Sequence, residues 1–441
     1  MKSTWRAERT LEWLGLGAGC LLASCSADTA TGNAEELGLR ETAAPATQIA
    51  PDELIATFFA GPGASAGMWP SWSSGPRPTL LWTEATGDDG SRLLAAGLDQ
   101  DSWALASTVA DGRDWFVNWA DMPQVAVASE RSMLATWLQK TSPGTYDYQI
   151  MFARSHDRGS SWGEAQRLHS AVIPAEYGFV TLTPLPGDRY AAVWLDGRFT
   201  AQAKAKGESP AAMSLMTGVI TRGGAVRDEH VLDTRVCDCC STHATLLDSG
   251  ELLVVYRDRD EQEVRDISFV RGRPGQPDSW SQPISIHRDN WIIPGCPVNG
   301  PRVVSSADEV VVAWYALEDN QHPRVWIARS ADAGHSFGEP LRIDEGNAQG
   351  RVDLAYLGDG SLVVTWLGSE RSTANWYARR IEPDGDPQDS IVIAEASGAR
   401  SDGFLRLATH RDGLLAAFQS ADPGGFSIVR LSIDGTEVAG H

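Results

Sequence analysis

Four of the chain's six cysteines fall in two short stretches, Cys237-Asp238-Cys239-Cys240 and Gly295-Cys296-Pro297. Thiols gathered this way have three chemistries open to them. They pair as disulfides in an oxidising compartment, where a bridge from Cys296 to the first stretch would tie two loops together. They bind a soft ion such as zinc or copper, with His243 as an added nitrogen donor. Or they act as a redox thiol or a strained vicinal bridge that forms a ligand platform. A second set of reactive residues is ionic. Trp194-Leu195-Asp196-Gly197-Arg198 and Tyr256-Arg257-Asp258-Arg259 each set a carboxylate beside guanidinium groups, and Arg351 stands in a later loop. Guanidinium groups grip an anionic sugar in bidentate fashion while an Asp serves as acid or base. The candidate catalytic residues are therefore Asp196, Arg198, Arg257, Asp258, Arg259 and Arg351. The competing reading is an ion pair between neighbouring elements, which needs no ligand. Glu263, Arg265 and Asp266, expected on a strand of the same unit, would support that network.

The elements that position these groups follow from a repeat. Short apolar strands carrying an aromatic recur at Trp82, Trp137, Trp194, Tyr256, Trp314, Trp366 and Phe418, with steps of 55, 57, 62, 58, 52 and 52 residues. Near-constant spacing of this size marks a propeller or solenoid. The continuous apolar runs fit strands buried on both faces. The third unit divides into four strands, at 179–184, 190–194, 213–221 and 227–233, which is a propeller blade. The last unit offers three strands, 404–409, 414–418 and 426–433. A fourth taken from residues 48–59 closes the ring, so the expectation is an all-β fold, a propeller of seven four-stranded blades.

Closure puts the connections before each inner strand and after each second strand on one face. Counted back from the aromatics, that face collects Asn118, Trp119 and Asp121; Glu176 and Tyr177; Cys237, Cys239, Cys240 and Ser241; Cys296 and Asn299; Arg351; and Arg400 and Asp402. Cys237, Cys239 and Cys240 precede Tyr256 by 19, 17 and 16 residues, and Cys296 precedes Trp314 by 18, so they hold equivalent places in adjacent blades.

On the opposite face, Ser155-His156-Asp157-Arg158-Gly159-Ser160-Ser161-Trp162 and Ser330-Ala331-Asp332-Ala333-Gly334-His335-Ser336-Phe337 carry the pattern Ser-x-Asp-x-Gly-x-x-Trp/Phe. Its structural residues are Asp157, Gly159 and Trp162, and Asp332, Gly334 and Phe337. Partial copies stand at Asp101-Ser102-Trp103 and Asp278-Ser279-Trp280, and weaker turns at Asp384-Gly385 and Asp434-Gly435. These turns resemble the Asp-boxes (BNR repeats) of the sialidase superfamily. The resemblance implies a glycan-binding, glycoside-hydrolysing propeller with three Arg on a substrate carboxylate, a Tyr nucleophile paired with a Glu, and an Asp acid/base. It also implies six blades as the alternative count. The chain departs from that set. Its first blade has Arg77-Pro78 without the intervening aliphatic residue, and the spacing assigns no Tyr–Glu pair. A non-catalytic binding or scaffold propeller, with a cysteine-bound metal, is the rival reading.

The chain's 441 residues carry a net charge of -21, with no basic stretch, which excludes a nucleic-acid partner. Lys2, Arg6 and Arg9 precede a short apolar stretch, and Leu22-Ala23-Ser24-Cys25 resembles a bacterial lipobox with Cys25 as the lipidated residue. The expected organisation is a signal peptide at 1–24, a flexible tether at 25–47 and the propeller at 48–441. That is a lipid-anchored, monomeric cell-envelope protein, periplasmic or surface-exposed, whose partner is a carbohydrate or other small anionic ligand.

Overall fold

Each repeating aromatic anchors the second strand of a blade, and each is at most 4% exposed. The computed structural model describes residues 53–433 except 64–66, 74, 88, 209–211, 347 and 421–424. Cys20, Cys25, the tether and the turn at Asp434-Gly435 lie outside the described residues. Among those described, no helix is long and apolar enough to cross a membrane.

The strands form seven antiparallel sheets, not six. Blade three runs in sequence order from Tyr177–Leu185 through Arg189–Asp196 and Met213–Ile220 to Val226–Val236. The last blade takes its outer strand from the other end of the chain: Leu54–Phe58 pairs with Phe426–Ile433, Leu54 facing Ile433 and Phe58 facing Val429. This closure buries Leu54 with Leu405, Leu414 and Leu431. Leu54→Ala is expected to lower the unfolding free energy by about 2–3 kcal/mol, read by denaturant titration. An unchanged midpoint would contradict closure by this strand.

One hollow of about 300 Å³ is lined by the inner strands of all seven blades, among them Ser71, Gln124, Thr181, His243, Arg302, Asp353 and Arg406. It is the axial channel. His243 belongs here: its Nδ1 meets the backbone of Val303, whose N–H is 3.1 Å away. Burial, with Arg302 and Arg406 nearby, holds the imidazole neutral, well below its ordinary range.

The two Ser-x-Asp turns have matching hydrogen bonds. Asp157 Oδ1 accepts from the Ser155 hydroxyl at 2.8 Å and the Ser161 N–H at 2.9 Å, while Asp332 Oδ1 accepts from Ser330 at 2.7 Å and the Ser336 N–H at 2.9 Å. Gly159 and Gly334 take φ of 83° and 75°, the left-handed conformation a glycine adopts without strain. The aromatics reach back to the preceding blade: Trp162 donates to the Ser107 hydroxyl, and Phe337 packs edge-on against Phe269. Both turns join third to fourth strands, on the face away from the cavity described next.

Candidate active site

The connections that lead into the inner strands and one hairpin of blade two enclose a cavity of about 400 Å³. Phe116, Trp119, Tyr146 and Tyr148 give it aromatic walls, and Asp121, Glu176, Asp238 and Arg400 its charge. Tyr148 opens the third strand of blade two, Tyr148–Ser155, and its backbone N–H bonds to the carbonyl of Ala175 in the connection into blade three. That bond brings Tyr148 and Glu176 side by side. The phenol donates to Glu176 Oε1 at 2.9 Å, and its ring stacks on Phe116 at a centroid distance of 4.2 Å.

Asp121 enters the same wall from the previous connection. The inner strand of blade three starts with a register shift between Gly178 and Thr181, and Phe179 takes φ 54°. Such a bulge leaves an N–H unpaired by the ladder, and Asp121 Oδ1 accepts it at 2.8 Å. Blade six repeats the device with an amide: Arg351 has φ 56°, and its N–H bonds to Asn299 Oδ1 at 2.7 Å. The structural task therefore needs one neutral acceptor. Blade three uses a carboxyl, that of Asp121, and its buried Oδ2 has no partner among the described residues. A Cβ on Gly178 would stand 1.9 Å from that oxygen and 3.3 Å from Tyr148 Cε2, so glycine is what lets the carboxyl and the phenol ring share one wall.

Electrostatics follow from burial. Asp121 is pushed up to about 8, by desolvation first, opposed by the Phe179 N–H and reinforced by the Glu176 charge. Glu176 is pushed up to about 7 by burial, with the Tyr148 hydrogen bond opposing and Asp238 adding. The Tyr148 phenol is raised well above its ordinary value by burial and by these two carboxylates. Asp238 is raised by burial against the Met213 N–H and Arg259, with which it pairs at 2.7 Å. Near neutral pH the wall thus holds Asp121 as an acid beside Glu176, which is part-ionised there and already carries the hydrogen bond of a phenol.

The ionic residues singled out in the sequence mostly tie the fold together. Asp196 stands two residues after Trp194, on the same face of the strand, and accepts the indole N–H at 2.9 Å and Arg198 at 2.6 Å. Arg198 begins a short helix, Arg198–Ala205, and also pairs with Glu229. Arg257 is 1% exposed and directs its guanidinium at the carbonyls of Asn299, Arg265 and Tyr315. Asp258 accepts from the Arg259 N–H and the Ser268 hydroxyl, and burial, with Asp233 nearby, raises it to about 6. Arg259 binds Asp238 and Glu263. Arg351 bonds to the carbonyls of Gly403 and Ala399 and lies 5.0 Å over Trp119, so it holds the turn that carries Arg400. Glu263, Arg265 and Asp266 lie in the connection before the strand Ile267–Gly272 rather than on it. Among the described residues, no clamp of three guanidinium groups faces the cavity.

The cysteines do converge. Cys237 and Cys240 are buried, Cys239 is half-buried and Cys296 is exposed; all four are free, with no disulfide among the described residues. Cys239 and Cys296 line the cavity. His243, in the axial channel, does not join them.

Neither a protein-family model nor a curated protein sequence matches the chain. Solved structures do. An ulvan lyase bound to -[GlcA(1-4)Rha3S]- matches over 86% of this chain and 94% of that one, at 10% identity and TM-score 0.51. A protein of unknown function from Dyadobacter fermentans matches over 87% and 100%, at 13% identity and TM-score 0.49. The NanB sialidase from Streptococcus pneumoniae matches over 86% and 94%, at 8% identity and TM-score 0.45. The likeness to the lyase is one of fold.

The sequence frame placed Asn118, Trp119, Asp121, Glu176 and Arg400 at the mouth but missed Tyr148. The signal for it lay in the second connection of each blade: Tyr148 pairs with Lys140 at the first rung of the hairpin, where a third strand rises from that face.

Proposed function

We propose that this cavity is a glycoside-processing site in which Tyr148 is the nucleophile, Glu176 its base and Asp121 the acid/base. The observation that carries the reading is the 2.9 Å hydrogen bond from Tyr148 to Glu176 in the wall that holds the partnerless oxygen of Asp121. In the first step the Tyr148 oxygen bonds to the anomeric carbon as the glycosidic C–O bond breaks. Glu176 takes the phenolic proton, and Asp121 gives its proton to the leaving oxygen. In the second, Asp121 takes a proton from water, whose oxygen attacks the same carbon. The bond to Tyr148 breaks, and the phenolate recovers its proton from Glu176.

The walls also define the substrate. Phe116, Trp119 and Tyr146 offer apolar faces to sugar C–H groups, and the Glu176 and Asp238 carboxylates disfavour an anion. Arg351 and Arg257 bond to backbone carbonyls, which leaves Arg400 as the guanidinium that lines the cavity among the described residues. A neutral glycoside suits this balance better than a sialic acid. The lipobox-like Leu22-Ala23-Ser24-Cys25 supports placing the enzyme on the cell envelope.

The test is a panel of aryl glycosides assayed with the full-length protein. Release from a neutral glycoside, with little from the sialoside, is expected; silence on every member would overturn the reading. Gly178→Ala, which drives a methyl into Asp121, is expected to lower kcat on the best substrate by about a hundredfold, with the far-ultraviolet spectrum unchanged. Full activity in that variant would remove Asp121 from the site.

A further inference from the structure

Cys237, Cys239 and Cys240 bring their Sγ atoms within 4.8 Å of one another. Cys237 stands 2.7 Å from Cys240 and 3.9 Å from Cys239. Cys296, from the connection into the next blade, lines the same cavity as Cys239 and stands outside the close group of three sulfurs. Cys237 and Cys240 approach each other as a pair, and a bridge between them would leave Cys239 as a third sulfur against Cys237 that the bridge does not use. The surroundings favour charged sulfur. Arg265, 3% exposed, aims Nη1 at Cys237 Sγ at 3.4 Å, while its Nη2 is held by Glu263 at 2.8 Å. A buried guanidinium N–H requires a good acceptor, which a thiolate is and a neutral disulfide sulfur is not.

We propose that Cys237, Cys239, Cys240 and Cys296 form an all-thiolate centre for one soft cation, Cu(I) or Zn(II). Sulfur donors select these ions over the harder divalent cations. Three ligands come from one turn, and the exposed Cys296 closes the site from its neighbour, so a bound ion would staple the two connections. Cys239 and Cys296 also line the cavity, and Asp238 lies between two of the ligands, which makes the centre part of the cavity's wall. The proposal stands independently of the glycoside reading.

The full-length chain, reduced and kept anaerobic, is titrated in two arms, one with Cu(I) supplied as its bicinchoninate complex and one with Zn(II) sulfate. After desalting, elemental analysis is expected to find about one equivalent per chain in at least one arm, with a thiolate charge-transfer band in the ultraviolet. Cys296→Ser, at an exposed position that leaves the core untouched, is expected to weaken binding by about a hundredfold. Cys237→Ser/Cys240→Ser abolishes it, and His243→Ala leaves the stoichiometry unchanged. Thermal melts of the metal-free Cys296→Ser protein confirm that it folds. The proposal is overturned by failure to retain either ion. It is equally overturned by retention of a full equivalent in the double variant, which would place the ion elsewhere.

Discussion

Tyr148→Phe is expected to keep the fold and lose activity on the order of a thousandfold. The ring supplies the packing: it is 1% exposed and stacks on Phe116, and phenylalanine fills the same volume. Only the hydroxyl goes, and with it the nucleophile and the donor to Glu176. The hydrogen bond helps to keep Glu176 ionised, so the remaining turnover should need a higher pH. Two measurements check this: kcat on the best neutral glycoside and the thermal midpoint. A comparable kcat in the variant would mean that the phenol only braces Glu176.

Asp121→Asn is expected to be both inactive and, at alkaline pH, more stable. Asn299 performs the same capping of a bulge N–H in another blade, so an amide at 121 satisfies Phe179 as well as the carboxyl does. Activity requires Asp121 protonated and Glu176 ionised, which gives the parent a bell-shaped kcat/KM profile with limbs near the values of about 7 for Glu176 and about 8 for Asp121. The stability effect has a definite sign. The folded-state value of Asp121 is raised from 3.8 to about 8, so its contribution is whole below the lower value and is lost as pH rises through the upper one. Across that window the variant should gain on the parent by up to ~1.4 kcal/mol per pH unit. Denaturation of both proteins at pH 5 and pH 9 measures the difference. A gap that does not widen with pH would mean that Asp121 is ionised throughout.

The ring was legible in the sequence because its signal is buried on two faces. Trp82, Trp194 and Trp314 sit in apolar runs that no exposed strand tolerates, and the three-strand last unit made a borrowed strand necessary. Leu54–Phe58 supplies it. The cysteine cluster was legible for a similar reason, since equal offsets from Tyr256 and Trp314 bring the two stretches to adjacent blades. The ionic residues misled because a sequence shows charge but not what the charge meets. Asp196 is two residues from the indole it accepts, and Arg257 is consumed by three carbonyls far away in sequence. Asp121 was placed at the mouth, yet its carboxyl reaches the Phe179 N–H only because Gly178 leaves room for it, as Gly350 does for Asn299, and no spacing reveals that. Tyr148 and Glu176 are 28 residues apart on different blades, and only the pairing of the two blades makes them one group.

The measurement that bears most directly on the glycoside reading is the intact mass of the full-length chain quenched during turnover of an activated 2-fluoro neutral glycoside, which slows release from the enzyme. One added glycosyl unit is expected, mapped by peptide sequencing to Tyr148 and missing from Tyr148→Phe. An adduct on another residue, or glycoside turnover with no adduct at all, would contradict that reading.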